Sequence, residues 1–376
     1  MIILYFNRAV RNKMFFYSLF FYFVNFCIPQ KIIELPVEIT NFETIELNLD
    51  IGNPRKKYAF HLSTITQKIY VTDDINYCSK NSLTYQKIEC TIPLPFIGEK
   101  IKGCLSQESF YFSKKDNQVL PHQKFILINQ GNIQYDNKGV IGFEYLISKN
   151  NDDNVNVDSP KDFSLLEQMY QEGLIFKKIF SISQNIFHDD INLVLRIGDY
   201  PKQFNTKKYR YKKCSLIEND KFGRKNSQWQ CNLNGVYTSD EFFYPIQAPV
   251  TFSLGGNVIT VDKGFFDIIQ KKYFEKAERE GTCQLIRDKP LGSKKISCTN
   301  SFAQNFDKII SFILGKFNIK VSGNDLWIND TFDRKTFRLI YFPDKKYEWA
   351  INYTSLKNKY TMIFDKDRGE VGFLLK

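Results

Sequence analysis

Two groups of residues in the sequence could act as nucleophiles, acids or bases. One is a serine and histidine pair, and the other is a set of three aspartates. Ser63 follows His61 at a spacing of two, so both side chains would lie on the same side of a β-strand. Such a pair acts as a nucleophile only with an orienting acid and an oxyanion-binding site, so a core-lining role is the simpler interpretation. Asp73, Asp74 and Asp262 are further candidates for general acid or base catalysis.

The sequence gives little support for a metal centre or for nucleic-acid binding. The chain has three histidines, His61, His122 and His188, and its cysteines form no C-x-x-C pair, so we expect no metal centre and no cofactor. The run Lys207–Lys213 alternates bases with tyrosines, as nucleic-acid surfaces do, but the same pattern suits an exposed strand. We expect a solvated strand and no nucleic-acid partner, with an anionic glycan or lipid surface as the alternative.

The composition is that of a globular protein. Of the 376 residues, 43% are hydrophobic and 25% are charged, which excludes wholesale disorder. With 35 Phe and 21 Tyr the chain can bury a sizeable core, and its length allows two or three domains or one two-lobed body. The net charge is +11, from 52 bases and 41 acids.

A secretory signal peptide is predicted over residues 1–28. Bases but no acids precede the apolar run Met14–Ile28, and the first acid is Glu34. The run is short for a membrane span, which needs about 20 residues. An uncleaved signal anchor, a start at Met14 and a buried amino-terminal element are the alternatives. Because no second run of spanning length occurs, we expect no integral membrane span after signal removal. The predicted location is the secretory pathway: extracellular, vacuolar or lysosome-like.

Cysteine usage fits an oxidising compartment, where disulfides are the expected state. The disulfide candidates are Cys78, Cys90, Cys104, Cys214, Cys231, Cys283 and Cys298. Closeness in sequence favours the pairs 214–231 and 283–298 and one pair among the first three. One thiol is then free or pairs with another chain. The sequons at Asn329 and Asn352 are glycosylation candidates if they are exposed.

Many short strands and few helices are predicted. From Ile45 to Val71, hydrophobic residues alternate on either side of the turn Gly52–Pro54, which predicts strand, turn, strand. One helix is predicted over Phe163–Glu172, ended by Gly173. Further short apolar runs predict strands at Phe125–Ile128, Ile179–Ile182, Leu193–Ile197, Ile259–Val261, Phe337–Phe342 and Tyr360–Phe364. The class is mainly β.

Several of these segments together resemble pepsin-like aspartic proteases, from about residue 45 to the end. The first likeness lies in two blocks eight residues apart. The family's Ile-Gly-Thr-Pro is similar to Ile51-Gly-Asn-Pro here, and its Asp-Thr-Gly-Ser block is similar to the run Ser63-Thr-Ile-Thr-Gln-Lys-Ile-Tyr-Val. Lys138-Gly-Val-Ile-Gly-Phe resembles Asp-Gly-Ile-Leu-Gly-Leu, and Val250-Thr-Phe-Ser-Leu-Gly-Gly resembles the second Asp-Thr-Gly block. The predicted helix and the strands after Trp349 follow in the family's order.

The resemblance implies a bilobal, mainly β pepsin-like fold with a few short helices. Residues 29–200 would form the N-terminal lobe and residues 201–376 the C-terminal lobe, with a cleft between them under a hairpin flap. In the family each lobe gives one Asp to the cleft. The two carboxylates share one proton, so one acts as base on a water while the other acts as acid. We expect a monomer that takes a peptide or protein ligand in this cleft.

Both catalytic positions differ in this sequence. Ser63 and Ser253 stand where the family has Asp, and neutral hydroxyls cannot serve as the base. Ile65 and Leu254 replace the glycine of the first block and the hydroxyl residue of the second. Phe96 takes the place of the flap tyrosine, so its ring can cover a cleft but has no hydroxyl. The cleft and flap residues implied by the resemblance are Thr64, Thr66, Tyr70, Phe96, Gly255 and Gly256.

Under this resemblance the acids Asp73, Asp74 and Asp262 lie beyond the active loops, in solvated turns. The sequence therefore predicts a secreted pepsin-like pseudo-protease that binds peptide or protein in its cleft or acts structurally. Two alternatives remain open. One is an active aspartic endopeptidase with its dyad in another register. The other is a surface protein that binds anionic glycans or lipids through its positive charge.

Overall fold

The computed structural model describes residues 32–40, 43–64, 66, 68–73, 77–96, 99–113, 118–129, 138–145, 164–187, 190–201, 204, 210–218, 228–288, 292–330, 333–343 and 349–376. The predicted signal peptide over residues 1–28 lies outside this part of the chain. Ile65, Asp74 and residues 207–209 of the basic run also lie outside it. No helix within the described ranges is long and apolar enough to span a bilayer.

Thirteen strands form one continuous sheet. Their bounds are β1 Ile33–Ile39, β2 Ile45–Ile51, β3 Lys56–Ser63, β4 Ile69–Asp73, β5 Gln86–Phe96, β6 Glu99–Tyr111, β7 Val119–Asn129, β8 Gly139–Gly142, β9 Ile179–Phe187, β10 Asp190–Ile197, β11 Tyr211–Ser215, β25 Tyr360–Asp365 and β26 Glu370–Leu375. The order across the sheet is β11-β26-β25-β9-β10-β1-β2-β3-β8-β4-β7-β6-β5. Buried and more exposed residues alternate along β1 and β3, so one face of each of these strands covers the core.

Two further sheets occur later in the chain. One has nine strands: β12 Gln230–Leu233, β15 Ala248–Ser253, β16 Ile259–Val261, β17 Cys283–Arg287, β18 Lys294–Thr299, β21 Trp327–Asn329, β22 Arg334–Phe337, β23 Leu339–Tyr341 and β24 Trp349–Asn352. The other has four: β13 Gly235–Thr238, β14 Phe243–Tyr244, β19 Ile309–Leu314 and β20 Phe317–Ser322. The strand predictions are confirmed, except that the predicted strand Phe337–Phe342 is interrupted at Arg338. The backbone N–H of Arg338 donates instead to Leu326 O, at 2.8 Å.

The described helices are short. They are α1 Leu165–Gln171, α2 Lys263–Ile269, α3 Glu275–Arg279 and α4 Asn300–Asn305, with a π-helical turn Gln270–Phe274 between α2 and α3. Helix α1 confirms the predicted helix with shorter bounds and begins after Ser164. Helix α2 was not predicted, although Phe265, Phe266 and Ile269 bury one face of it.

The two halves of the chain share one hydrophobic core. We call residues 32–200 the first lobe and residues 201–376 the second lobe. Strand β25 of the second lobe pairs with β9 of the first, and the ring of Phe180 stacks on that of Phe364 with centroids 4.5 Å apart. The indole N–H of Trp229 donates to the carbonyl of Phe143 at 2.6 Å. These contacts fix the lobes to one another through buried aromatic surface.

Candidate functional site

The same strand arrangement is built once in each lobe. In the first lobe, β3 pairs in parallel with β8, which pairs antiparallel with β4, which in turn pairs in parallel with β7. In the second lobe, β15, β24, β16 and β23 repeat these three relations in the same order. Ser63 ends β3 opposite Gly142, and Ser253 ends β15 opposite Asn352. The two serines therefore hold equivalent positions.

Thr64 joins the ends of these two strands. Its hydroxyl donates to the carbonyl of Phe252 at 3.3 Å and accepts the N–H of Leu254 at 3.2 Å. Thr64 is 1% exposed, so both hydrogen bonds are shielded from water. Because Thr64 follows Ser63 and its two partners flank Ser253, the two serine-bearing segments meet here, and we call these two hydrogen bonds of Thr64 the clasp.

Gly255 completes the contact between the lobes. A Cβ atom on Gly255 would lie 3.6 Å from the carbonyl oxygen of Leu62, which places the backbone of Gly255 directly beside β3. Gly256 has φ +86°, a left-handed conformation that side-chain-bearing residues rarely adopt. The loop after Ser253 therefore approaches the first lobe with backbone rather than side chains.

The two serine hydroxyls have different surroundings. Ser253 is 4% exposed, and its Oγ donates to the carbonyl of Gly255 at 3.0 Å. Ser63 is partly buried, and its carbonyl accepts the N–H of Phe143 at 2.7 Å. Both hydroxyls are uncharged and can donate or accept hydrogen bonds. Neither can take a proton from water as a carboxylate does.

Thr66 and Tyr70 follow Ser63 on the next segment. Tyr70 is 9% exposed, and burial raises the pKa of its hydroxyl; a hydrogen bond with Thr66 acts in the opposite sense, and Glu144 raises the pKa further. The carbonyl of Thr66 accepts the N–H of Glu144 at 3.0 Å. The two side chains are thus packed together near Ser63, where the resemblance implies the wall of a cleft.

The hairpin that corresponds to the expected flap is formed by β5 and β6. Its last backbone pair joins Phe96 and Glu99, and residues 97–98 lie outside the described part of the chain. Phe96 is the last paired residue of β5 in this hairpin, and its role as the flap residue stays a prediction.

His61 lies beside a charged pair. Its Nδ1 is 3.6 Å from Oε1 of Glu46, and the ammonium of Lys138 is 2.5 Å from the same oxygen. The side chain of His61 is 30% exposed, so the expected core-lining role is not observed. The three groups form a polar cluster on the face of β3 that carries Ser63.

The candidate acids have structural roles. Asp262 is the N-cap of α2: its Oδ1 accepts the N–H of Phe265 at 2.7 Å, and the hydroxyl of Tyr244 donates to the same carboxylate. Asp73 accepts hydrogen bonds from the N–H and the hydroxyl of Ser79. Each carboxylate is only partly buried and satisfies local donors, Asp73 at the end of β4 and Asp262 at the start of α2.

Two of the predicted cysteine pairs are confirmed. Disulfides join Cys214 to Cys231 and Cys283 to Cys298. Cys104 is also disulfide-bonded, and its backbone partner on the neighbouring strand is Cys90. Cys78 is a free thiol and is partly buried.

Asn352 is not available for glycosylation in the folded chain. It is 5% exposed, and its amide donates to the carbonyl of Val258 at 2.9 Å. The other two sequon residues, Tyr353 and Thr354, are fully buried. This candidate is therefore wrong, whereas Asn329 is exposed and stays a candidate.

The basic run forms an edge strand where it is described. Lys212 and Lys213 belong to β11, at the edge of the thirteen-stranded sheet. Lys213 is exposed and pairs with Glu370 at 2.6 Å. Of the predicted strand Lys207–Lys213, residues 211–213 are a strand whose side chains are partly or fully exposed.

Sequence reasoning missed Arg338. Its guanidinium is buried, donates to the carbonyl of Asn257 at 2.5 Å and forms an ion pair with Glu43 of the first lobe. Burial lowers the pKa of Arg338, while Glu43 and Asp325 act to raise it. No local pattern could have indicated this contact, since Glu43 and Arg338 lie at opposite ends of the sequence.

Comparison with solved structures finds a similar fold in the aspartic proteinase from Irpex lacteus, with a TM-score of 0.67. The sequence identity is 11%, and the match covers 92% of this chain and 97% of that chain. No family model and no curated protein matches the chain. At this identity the likeness shows the fold alone. The chain has the bilobal, mainly β architecture of a pepsin-like aspartic proteinase.

Proposed function

We propose that this chain is a catalytically inactive pepsin-like protein of the secretory pathway that binds extended peptides between its lobes. One observation carries the proposal: Ser63 and Ser253 occupy equivalent strand ends that meet at Thr64, and both are hydroxyls. Acid-catalysed attack of water on a peptide bond needs a carboxylate base and a carboxylic acid at this place. Two alcohols supply neither.

The proposed ligand follows from the geometry that remains. Strand pairing on both sides of the serines and the β5–β6 hairpin are retained, so the elements that would enclose an extended chain are present. An extended peptide can satisfy its own N–H and C=O groups against such backbone edges. The predicted lobes 29–200 and 201–376 would form the two walls.

Peptide capture tests this proposal. The protein is mixed with peptides from a chemical digest of denatured globin, and bound peptides are recovered by gel filtration and identified by mass spectrometry. We expect intact peptides to be retained, and Ser63→Trp to abolish retention because the indole fills the space beside the clasp. Ser215→Trp, on the exposed edge of β11, is the matched control and should retain peptides.

The active-protease alternative has its own readout. Globin is incubated with the protein from pH 2 to pH 7, with and without pepstatin. We expect no cleavage at any pH. Pepstatin-sensitive cleavage would overturn the inactive assignment, and failure to retain any peptide would overturn the binding role.

A further inference from the structure

Arg338 connects the loop that follows Ser253 to the other lobe. The guanidinium donates to the carbonyl of Asn257, four residues after Ser253, at 2.5 Å. The carbonyl of Arg338 also accepts the N–H of Ile259 at 2.8 Å. One residue thus holds both a carbonyl and an amide of this loop.

The loop needs such support from outside. It contains Gly255 and Gly256, and glycine allows more backbone conformations than any other residue. Between the two groups held by Arg338, the carbonyl of Val258 accepts the amide of Asn352 at 2.9 Å. The last two residues of the loop, Asn257 and Val258, and the first residue of β16 are therefore fixed by side chain or backbone groups of the second lobe.

The partner of Arg338 in the first lobe is Glu43. Its carboxylate pairs with the guanidinium of Arg338, whose side chain is 3% exposed. Glu43 itself has φ +56°, the left-handed region that residues other than glycine rarely adopt. Its N–H donates to the carbonyl of Thr40 at 2.8 Å, so a tight turn presents the carboxylate to the second lobe.

The buried guanidinium depends on this carboxylate. Within the described ranges, Nε of Arg338 is buried without a hydrogen-bond partner. Asp325 is the other anionic group that acts on Arg338, and burial raises the pKa of Asp325. A buried ion that loses its partner destabilises the structure around it more than an exposed one.

We propose that Arg338 is a positioning residue of the cleft: its ion pair with Glu43 holds the Ser253 loop against the first lobe at neutral pH and releases it in acid. The inference rests on the proposed function only in that this loop forms a wall of the proposed peptide site. A carboxyl group that is protonated in acid cannot form an ion pair with a guanidinium. Asp325, with its raised pKa, loses its charge at a higher pH than an ordinary aspartate. The guanidinium then has no anion, and the loop loosens.

Amide hydrogen exchange of the whole protein tests this inference without a ligand. The exchange rate of the segment 254–260 is measured by mass spectrometry for the wild type and for Glu43→Gln at each pH. We expect exchange to be faster in the variant at pH 7, on the order of tenfold, and equal in the two proteins at pH 3. Because the variant and the wild type are compared at the same pH, the intrinsic pH dependence of amide exchange cancels in the ratio of their two rates.

Glu34→Gln is the matched control. Glu34 also pairs with a buried arginine, Arg196, but both lie in the first lobe on adjacent strands. We expect this variant to leave the exchange of 254–260 unchanged at both pH values. Glu43→Asp keeps the charge and should restore most of the protection, which a purely space-filling role of Glu43 would not predict.

Three results would overturn the inference: equal exchange of Glu43→Gln and wild type at pH 7, the same acceleration in Glu34→Gln, or a difference that persists at pH 3. If Glu43→Gln does not fold, the wild type is compared with Glu34→Gln between pH 7 and pH 3, and constant protection of 254–260 would contradict the release. Peptide capture is a separate measurement, so its failure would leave this result interpretable.

Discussion

The two serine-bearing segments are equivalent in topology but differ in chemistry. In the first lobe, Ser63 is followed by Thr64, whose hydroxyl makes both hydrogen bonds to the opposite lobe. In the second lobe, Ser253 is followed by Leu254, which is fully buried and offers only its backbone N–H. One hydroxyl is therefore sufficient to join the strand ends, and apolar packing fills the equivalent place on the other side.

The two segments also differ in their access to solvent. Ser63 is partly exposed, whereas Ser253 is 4% exposed and its hydroxyl is bonded to its own loop. A charge at the first position could be hydrated, but a charge at the second could not. The second position is therefore the less suited of the two to hold a carboxylate.

The largest expected effect comes from introducing an acid at one of the two serine positions at a time. Ser253→Asp places an unpaired carboxylate in a dry site and should lower the free energy of unfolding by about 3–5 kcal/mol at pH 7. Ser63→Asp should cost less. A buried acid has a folded-state pKa above its unfolded value of about 3.9, so the destabilisation is full at high pH and disappears below that value. Urea unfolding at pH 7 and pH 3.5 measures both effects; equal losses for the two variants would contradict the difference in burial.

Removal of the clasp hydroxyl should have the next largest effect. Thr64→Val keeps the shape of the side chain but removes the donor to the carbonyl of Phe252 and the acceptor of the N–H of Leu254, a loss of about 1–3 kcal/mol in total. Urea unfolding at pH 7 measures the loss. Thr64→Ser retains the hydroxyl and should lose much less. A Val variant as stable as the Ser variant would show that the hydrogen bonds contribute nothing.

A smaller effect is expected when a second hydroxyl is introduced. Leu254→Thr loses apolar burial but can form the hydrogen bond that the second lobe lacks, so we expect a loss of about 1–2 kcal/mol. Leu254→Ala makes a larger cavity without a hydrogen bond and should lose about 2–5 kcal/mol. Chemical denaturation of both variants gives the comparison. If Thr is no better than Ala, the Leu254 side chain does not face a partner in the first lobe.

The smallest effect is expected far from the clasp, where Glu167 of α1 pairs with Lys366 of the second lobe at 2.8 Å. Burial acts to raise the pKa of Glu167, but Lys366 and Lys178 outweigh it and lower the pKa. The pair therefore contributes stability above the usual glutamate pKa, and this is lost as pH falls through the lower folded-state value.

Glu167→Gln should accordingly lower the thermal midpoint slightly at pH 6 and leave it unchanged at pH 2. Glu275→Gln, which removes an exposed ion pair with Arg279 in α3, is the control and should have no effect at either pH. A loss that is equal at pH 6 and pH 2 would show that Glu167 acts through packing and not through charge.

Local patterns predicted much of the fold. The alternation around Gly52 gave β2 and β3, and the run Ile259–Val261 is a strand with those bounds. Helix α2 could have been found, because Asp262 caps it and Phe265, Phe266 and Ile269 follow at helical spacing.

The contacts that make the candidate site could not be predicted from local patterns. Thr64 and Leu254 are 190 residues apart, and only the pairing of β3 and β15 with their parallel neighbours brings them together. Likewise, nothing around Asn352 in the sequence shows that its sequon would be enclosed on β24. Burial of such positions depends on which strands become neighbours, and that is a property of the whole chain.

The pairing of β25 with β9 has a consequence for biosynthesis. Strand β9 belongs to the first lobe, but its outer edge is covered only by residues Met362–Asp365. While the ribosome is still making the second lobe, the hydrogen-bonding groups along that edge have no partner. The nascent first lobe is then open to intermolecular strand addition, the hazard of any uncovered edge. Folding chaperones would be needed over this interval, and carboxy-terminal truncations before residue 360 should aggregate rather than yield an isolated lobe.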